Sequence, residues 1–290
     1  MNCFKNILKC YKKSNRDNGE YTGEMSGIYP FRKKNGKGIF KYSNGNVYEG
    51  YWLNNERHGN GKMTYANGNI YDGEWKNNQR NGIGVKISKD DIYEGEWQNN
   101  MRHGKCIIKY SNEQSLGCMP KRQDIPYDLI EGESINNKCT NKAIIKYKDG
   151  SIYTGEIIFS NLDKIFKKHG IGTMIYPNKN KYEGEWANNI REGNGTMIYL
   201  NNETYNGNWK DNQRHGFGIM TYENKDIYEG EWVDDKKFFG KMIYKNGDVY
   251  EGQWRNYHKH GKGKMIYANG EIYDDKWIKD EPKYIYIKNM

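Results

Sequence analysis

The chain alternates apolar and polar residues over short stretches, and tyrosine, glycine and tryptophan occupy every second position. In residues 48–52, for example, Tyr48, Gly50 and Trp52 alternate with Glu49 and Tyr51. A period of two is the pattern of a β-strand with one packed face. All eight tryptophans lie four residues after a tyrosine, mostly at intervals of 22 or 23 residues: Trp52, Trp75, Trp97, Trp186, Trp209, Trp232, Trp254 and Trp277. This fixed period predicts a repeat architecture.

Each copy has two alternating stretches, which predict a β-hairpin. Six residues, all polar except Leu53, follow Trp52, and then Gly59, Gly61 and Met63 occupy every second position. Copies begin at Tyr21, Tyr48, Tyr71, Tyr93, Tyr153, Tyr182, Tyr205, Tyr228, Tyr250 and Tyr273. A degenerate copy begins at Ile130, with Ser134 in place of tryptophan and Asn141 and Ala143 in place of the glycines.

The register of the hairpins decides which residues share a face. We expect Tyr48, Gly50 and Trp52 to pair with Met63, Gly61 and Gly59, across a loop of residues 53–58. A two-residue turn at residues 67–68 would send successive motifs to opposite faces. We therefore predict a three-residue loop, residues 66–68, with Gly68 in the left-handed region. One face then carries rows of Tyr and Met, of glycine, and of Trp, and the other carries charge pairs such as Glu49 with Lys62.

This pattern closely resembles the MORN (membrane occupation and recognition nexus) repeat family, and the resemblance runs from Tyr21 to Trp277. Cys106 and Asp275 depart from it, each in place of a glycine. The resemblance implies an all-β fold, an elongated single-layer twisted antiparallel sheet of tandem hairpins. At ~4.8 Å per strand, about twenty strands would give a ribbon on the order of 100 Å long. The family also implies a protein-binding role, often in cytoskeletal or membrane-skeletal assemblies.

Breaks in the repeat phase divide the chain. We expect a basic tail or short amphipathic helix at 1–20, a first repeat block at 21–112, and a second block at 130–281 that starts with the degenerate copy. Residues 113–129 contain Pro120 and Pro126 and have no repeat phase, so they form either a hinge or a tolerated surface insertion. Residues 282–290 form a tail that could add an edge strand.

Composition agrees with a repeat protein. Hydrophobic residues make up 35% of the chain and the mean hydropathy is −1.11, yet there are 26 tyrosines. Burial must therefore come from aromatic rings packed on glycine. Five cysteines without a Cys-x-x-Cys pair indicate a reducing compartment, and neither a signal peptide nor a membrane span is evident. We expect a cytoplasmic protein.

The sequence predicts no enzyme, cofactor or metal site. Five histidines, among them His58 and His103, each precede the first glycine of a hairpin, and equivalent positions lie roughly 10 Å apart, too far to share a metal. The repeated acids Glu74 and Glu96 are similarly separated and lack an enclosing pocket. The Gly-x-Gly elements lack the fingerprints of nucleotide sites. Nucleic acid is not an expected partner, because aromatic rings packed on glycine cannot stack on bases.

Three sets of residues are candidates for structure or binding. A structural aromatic row is predicted from Tyr48, Trp52, Tyr71, Trp75, Tyr93, Trp97, Tyr182, Trp186, Tyr205, Trp209, Tyr228, Trp232, Tyr250 and Trp254. This row is either covered by its own rings or open as a groove for a second chain. A basic edge along the hairpin loops is predicted from Arg57, Arg80, Arg102, Arg191 and Arg214. These arginines either solubilise the loops or bind an acidic partner or anionic lipid, in a chain of net charge +9.

The third set lies at the N-terminus, where apolar residues at helical spacing accompany a basic cluster. It is either a disordered basic tail or a membrane anchor with two acylated cysteines, formed by Cys3, Cys10, Lys5, Lys9, Lys12 and Lys13.

The favoured function is a non-catalytic scaffold that binds proteins in a cytoskeletal, ciliary or membrane-associated assembly. The alternative is a membrane-tethering adaptor that binds anionic phospholipids through the N-terminus and the loop arginines. Both place the protein in the cytoplasm, on the cytoskeleton, in a cilium or on the cytoplasmic face of a membrane. Self-association is a further option.

Overall fold

In a computed structural model of the protein, the described residues are 12–14, 19–89, 91–110, 127–160 and 165–283. This part of the chain consists of β-strands joined by turns and loops. It forms two compact units, Met1–Lys148 and Asp149–Met290.

The first unit contains eleven strands. They are β1 (Lys12–Ser14), β2 (Gly19–Ser26), β3 (Lys33–Tyr42), β4 (Val47–Leu53), β5 (Glu56–Thr64), β6 (Ile70–Lys76), β7 (Gln79–Ile87), β8 (Ile92–Gln98), β9 (Met101–Lys109), β10 (Tyr127–Ile135) and β11 (Lys138–Tyr147). Each strand pairs antiparallel with its neighbours in sequence.

The second unit contains twelve strands with the same neighbour pairing. They are β12 (Ile152–Ser160), β13 (Ile165–Ile175), β14 (Lys181–Ala187), β15 (Ile190–Ile198), β16 (Thr204–Lys210), β17 (Gln213–Thr221), β18 (Ile227–Val233), β19 (Lys236–Ile243), β20 (Val249–Arg255), β21 (His258–Ile266), β22 (Ile272–Ile278) and β23 (Glu281–Pro282). The predicted all-β fold of tandem antiparallel hairpins is confirmed.

The loop within each hairpin is shorter than the sequence pattern suggested. A six-residue loop at 53–58 is wrong, because β4 continues to Leu53 and β5 starts at Glu56. The turn is Asn54–Asn55, with φ of 52° and 73°. Two consecutive left-handed residues match the twist of the flanking strands, and asparagine tolerates them. Residues at the ends of the strands were predicted as loop because most of them are polar.

A bulge follows each of these turns in most copies. Gly50 pairs with Gly61 as predicted, but Trp52 pairs with Arg57 and not with Gly59. Residues 58–60 therefore stand opposite Tyr51 alone. Gly59, with φ of 59°, allows this kink.

Most links between copies have the predicted three-residue form, whereas the link closed by Ser88 and Asp91 is one residue shorter. Tyr65 and Asn69 enclose a three-residue loop, since the Tyr65 N–H donates to Asn69 O at 2.9 Å. Gly68 lies in the left-handed region, with φ of 84°. As predicted, Met63, Gly61 and Gly59 pair with Tyr71, Gly73 and Trp75. The two-residue turns lie along one edge of each unit's sheet, the hairpin edge, and the three-residue loops lie along the other, the link edge.

The strands on either side of the predicted hinge pair with each other. In β9 and β10, Leu129 pairs with Lys109 and the ladder continues to Ser134 and Gly104. The insertion therefore interrupts the sequence without interrupting the pairing. Residues 111–126 lie outside the described residues, and a bend at 113–129 stays a prediction.

Candidate interaction surfaces

The aromatic rows form the core of each unit, on one side of its sheet, which we call the aromatic face. Tyr71 and Tyr205 are 0% exposed, and Trp75 and Trp209 are 3% and 4% exposed. The other residues of the predicted row are buried in the same way: Tyr48, Trp52, Tyr93, Trp97, Tyr182, Trp186, Tyr228, Trp232, Tyr250 and Trp254.

Each tryptophan joins its own copy to the copy before it. The Trp75 ring makes T-shaped contacts with Tyr71 at 5.1 Å and with Tyr48 of the preceding copy at 5.4 Å. Its indole N–H donates to the Gly61 carbonyl at 2.8 Å. The Tyr71 hydroxyl donates to the Glu74 carbonyl at 3.0 Å. Edge-to-face pairs of this kind add about 0.5–1.5 kcal/mol each beyond their buried area.

The glycine row exists because the tyrosine rings lie on it. A Cβ at Gly61 or Gly84 would overlap the hydroxyl group of Tyr48 or Tyr71. At Gly73 a Cβ would also lie 2.4 Å from the Cα of Gly84 on the next strand. This close contact seats the ring flush against the sheet, so the glycines are required for packing.

The predicted basic edge is built into the aromatic face. The guanidinium carbons of Arg57, Arg80, Arg191 and Arg214 lie 4.5, 4.4, 4.3 and 4.3 Å from the ring centres of Trp75, Trp97, Trp209 and Trp232. Lys168, Lys237 and Lys259 take the same place over Trp186, Trp254 and Trp277. These cation–π contacts cover the indoles.

Hydrogen bonds fix the arginines in this position. Arg57 Nη2 donates to the Asn78 carbonyl at 2.9 Å, and Arg80 Nη2 donates to the Asn100 carbonyl at 2.8 Å. Burial lowers the pKa of Arg80 and lowers those of Lys168 and Lys237 to about 8. The sequence pattern predicted the spacing of these cations but not their contacts with the indole rings, because a charged residue near a turn is expected to be exposed to solvent.

Arg102 is the exception, because the next copy is the degenerate one and has Ser134 in place of tryptophan. Its guanidinium lies 4.4 Å from the Tyr93 ring and forms a 3.1 Å salt bridge with Asp91. Ser134 is 1% exposed and its hydroxyl is 3.5 Å from Cys106 Sγ. Burial and the neighbouring Cys106 raise the pKa of the Cys139 thiol. Small side chains thus occupy the place of the missing indole, a substitution that the repeat pattern did not reveal.

The opposite face of each sheet carries charged and apolar residues together. Lys62 pairs with Glu49 on one side and Asp72 on the other, as expected. The Glu74 carboxylate accepts a 2.9 Å hydrogen bond from the Ile83 N–H, and Glu185 does the same for Asn194 at 2.8 Å, so these acids stabilise the bulges.

Bulky apolar side chains stand exposed among these charges. Ile83 and Ile171 are each 59% exposed, Phe217 is 57% exposed and Phe239 is 45% exposed. A cavity of about 470 Å³ on this face of the first unit is lined by residues that include Thr22, Glu49 and Tyr51.

The candidate membrane anchor is described only in part. Lys12 and Lys13 belong to β1 and pair with Tyr21 and Glu20. The free edge of β2 offers the hydrogen bonds that favour a strand here. Cys3, Cys10, Lys5 and Lys9 lie outside the described residues.

The described residues contain neither a metal-binding cluster nor a helix that could span a membrane. No group of three or more His, Cys, Asp or Glu side chains is arranged to hold a metal ion there. No helix in that part of the chain has the length and apolar character needed to cross a membrane.

A known family of repeats matches most copies in this chain. The sequence profile of the MORN repeat matches residues 33–47, 48–70, 71–91, 93–115, 167–181, 182–204, 205–227, 228–249 and 250–272. The matches break between residues 115 and 167, a stretch that contains residues without repeat phase and the degenerate copy that begins at Ile130. A search of curated proteins gave no match.

Two of the solved structures that are similar are TCP domains of CPAP proteins. The TCP10 domain of Danio rerio CPAP is 9% identical, with a TM-score of 0.41 over 82% of this chain and 99% of that one. The SAS-4 (dCPAP) TCP domain of Drosophila melanogaster, in complex with a proline-rich motif of Ana2 (dSTIL), is 14% identical, with a TM-score of 0.36 over 60% of this chain and 85% of that one. The repeat matches cover well over half of the sequence, and the chain belongs to the MORN repeat family.

Proposed function

We propose that this MORN repeat chain is a non-catalytic scaffold that binds other proteins in a cytoskeletal, ciliary or membrane-associated assembly. One observation carries the proposal. The rings of the aromatic face are buried by their contacts with one another and with the glycine row. The opposite face, in contrast, has bulky apolar side chains that are exposed among charged residues. Apolar anchors surrounded by polar groups are typical of protein interfaces.

The exposed apolar residues are not needed for the fold. Ile171 and Phe217 lie between the two glycines of a hairpin, where other copies have Asn60 or Asn194. Since asparagine serves there, the large side chains at residues 171 and 217 are available for a partner.

The test compares proteins that co-purify with the tagged full chain from its native cells after chemical crosslinking. In the double variant Ile171→Asn, Phe217→Asn, we expect the recovery of direct partners to fall at least tenfold, because both anchors are lost. Removal of one buried anchor costs about 2 kcal/mol or more, which is of this size.

The matched control is Leu200→Ala, which removes a side chain that is 69% exposed at a link-edge loop. Ala66 and Ala268 occupy the equivalent positions, so the fold tolerates this change. Partner recovery equal in wild type and the double variant would contradict a role for this face. The absence of any crosslinked protein partner would contradict the scaffold itself.

A further inference from the structure

One copy in the second unit breaks the repeat rules on the hairpin edge. In β19 the residues before Gly240 are Phe238 and Phe239, without the bulge glycine that the other intact copies have. Glu231 pairs with Phe239 and Trp232 pairs with Lys237, which leaves Phe238 as a single unpaired residue. A bulge of this kind re-aims the side chain at its position.

The next hairpin breaks a second rule. Its turn is Asn256–Tyr257, and Tyr257 has φ of 68°. The equivalent residue is asparagine or aspartate in most turns, where its carboxamide or carboxylate oxygen accepts a backbone N–H of the preceding copy, as Asn212 does for Arg191 at 2.9 Å. A tyrosine has no such acceptor, and a bulky residue is disfavoured in the left-handed region. Tyr257 therefore cannot make the side-chain hydrogen bond by which most other turns join the preceding copy.

These departures put aromatic side chains in solvent at one place. Phe238 is 56% exposed, Tyr257 is 57% exposed and Phe239 is 45% exposed. Since β19 and β20 are antiparallel neighbours, the start of β19 and the end of β20 lie at the same edge. Phe238 and Tyr257 therefore both belong to the hairpin edge of β19–β21.

The same strands concentrate positive charge. Between Lys236 and Lys264 the sequence has eight lysines and arginines and only two acids, Asp248 and Glu251. On the adjoining turns, Asp235 pairs with Arg214 at 2.8 Å, and Asp234 and Asp280 lie 3.4 Å and 2.5 Å from the Nδ1 atoms of His215 and His258.

Three of these cations are exposed and lie away from the ladder positions of Glu251. Within residues 165–283 and the other described segments, Lys236, Arg255 and Lys262 form no salt bridge. They lie on β19, β20 and β21, the strands whose hairpin edge carries Phe238 and Tyr257.

We propose that the hairpin edge of β19–β21 binds an acidic segment of a partner protein that also carries bulky apolar side chains. The carboxylates of the segment pair with Lys236, Arg255 and Lys262, and its apolar residues pack on Phe238 and Tyr257. This inference rests on the proposed scaffold function and names the chemistry of one partner.

A protein segment fits this surface better than a phosphate polymer or a lipid surface. Glu251 lies in the ladder between Lys241 and Lys264, so an acid interrupts the cations. A continuous row of phosphates would meet this carboxylate, whereas a peptide can place separate carboxylates on either side of it. Aromatic anchors ringed by charges are also the arrangement of a protein interface.

The test measures fluorescence anisotropy of a labelled peptide, Glu-Asp-Leu-Glu-Glu-Trp-Glu-Asp, on the full chain. We expect saturable binding that weakens as salt rises. The double variant Phe238→His, Tyr257→Asn restores the residues of other copies and should lower affinity at least tenfold. Lys236→Gln with Arg255→Gln, which follows Gln79 and Gln98 of other copies, should weaken binding and flatten its salt dependence.

Two controls keep folding apart from binding. Tyr257→Asn should unfold at a midpoint no lower than wild type, because asparagine suits the turn. Leu200→Ala removes an exposed apolar side chain on the link edge and should leave peptide affinity unchanged.

The contrary outcomes are distinct. No peptide binding, or equal binding of a peptide with serine in place of Leu and Trp, would overturn the inference. So would tighter binding of phosphatidylserine vesicles or of a 20-nucleotide RNA that is lost in the Phe238→His, Tyr257→Asn variant. Cellular partners that still co-purify with this variant would leave the scaffold function intact while refuting this site.

Discussion

At the scale of single residues, the fold depends on pairs of an aromatic ring and a glycine. Tyr182 lies on Gly195 and reaches the Glu185 carbonyl with its hydroxyl at 3.1 Å, which is possible only because the glycine has no side chain. Other glycines serve the backbone. Gly270 lies at φ of 90° in a link loop, and a Cβ there would meet nothing within 4 Å.

These two roles predict different costs for the same substitution. Gly195→Ala forces the Tyr182 ring off the sheet and should destabilise the protein by about 2–4 kcal/mol. Gly270→Ala only places alanine in the left-handed region and should cost about 1 kcal/mol. Denaturant unfolding followed by tryptophan fluorescence compares their midpoints. Equal midpoints for the two variants would show that packing on the glycine row contributes little.

At the scale of elements, the hairpin turn is also the joint between copies. Asn212 Oδ1 accepts the Arg191 N–H at 2.9 Å, and the Asn212 N–H donates to the Arg191 carbonyl at 3.1 Å. The Arg191 side chain returns a third hydrogen bond to the Asn212 carbonyl at 2.6 Å. One left-handed asparagine thus closes a turn and docks it on its neighbour.

The chain itself supplies a matched pair of variants for this joint. Asn212→Ala removes the acceptor and places alanine in the left-handed region, so we expect a loss of about 1–2 kcal/mol. Asn212→Asp should stay within about 0.5 kcal/mol of wild type, because Asp235 and Asp280 accept the same bond from Arg214 and Lys259. Thermal unfolding measures both. A loss of similar size in both variants would contradict the acceptor role.

Sequence alone predicted the elements better than their joints. The alternation of Tyr, Gly and Trp was enough for the strands, and the position of Gly68 was enough for the link loop. The hairpin turn was missed because Asn54–Asn55 lies in a polar stretch. Strand ends cannot be located there from the alternation of apolar and polar residues. The contact of Arg57 with Trp75 was missed for a related reason, since the pattern records charge but not which ring a cation covers.

At the scale of the whole molecule, the core is made of ionisable rings. The sequence has 26 tyrosines, and burial raises the pKa of Tyr222 and Tyr244 to about 12 and raises those of Tyr71, Tyr182 and Tyr205 as well. An ordinary globular core of aliphatic side chains has no such dependence on pH. Stability here is therefore tied to the protonation of the phenol groups.

Alkaline pH should unfold the protein cooperatively. Between about pH 10 and pH 12 the unfolded chain releases phenol protons that the folded chain keeps, so stability falls as pH rises, by up to about 1.4 kcal/mol per pH unit for each buried tyrosine. Between about pH 8 and pH 10 the lowered pKa values of Lys168 and Lys237 act in the opposite direction, because the unfolded chain then binds more protons.

The measurement is the unfolding midpoint from pH 7 to pH 12, with phenolate absorbance recorded in parallel. We expect a shallow rise to about pH 10 and then a steep fall, with the buried tyrosines ionising together with the loss of the strand signal. Ionisation of all tyrosines near pH 10 in a folded protein would contradict a phenol-dependent core.

The joints between copies also bear on how such a chain can change over evolutionary time. Donor and acceptor are 21 residues apart at Arg57 and Asn78 and 20 residues apart at Arg80 and Asn100. Duplication or loss of one whole copy re-forms every such joint at its usual offset, so copy number can drift without a folding penalty. An insertion is tolerated at the link edge between β9 and β10, since on the hairpin edge Arg102 and Asn137 keep their bond across 35 residues. New partners can therefore be acquired through insertions in the links and substitutions in single copies, while the remaining copies keep the repeat pattern.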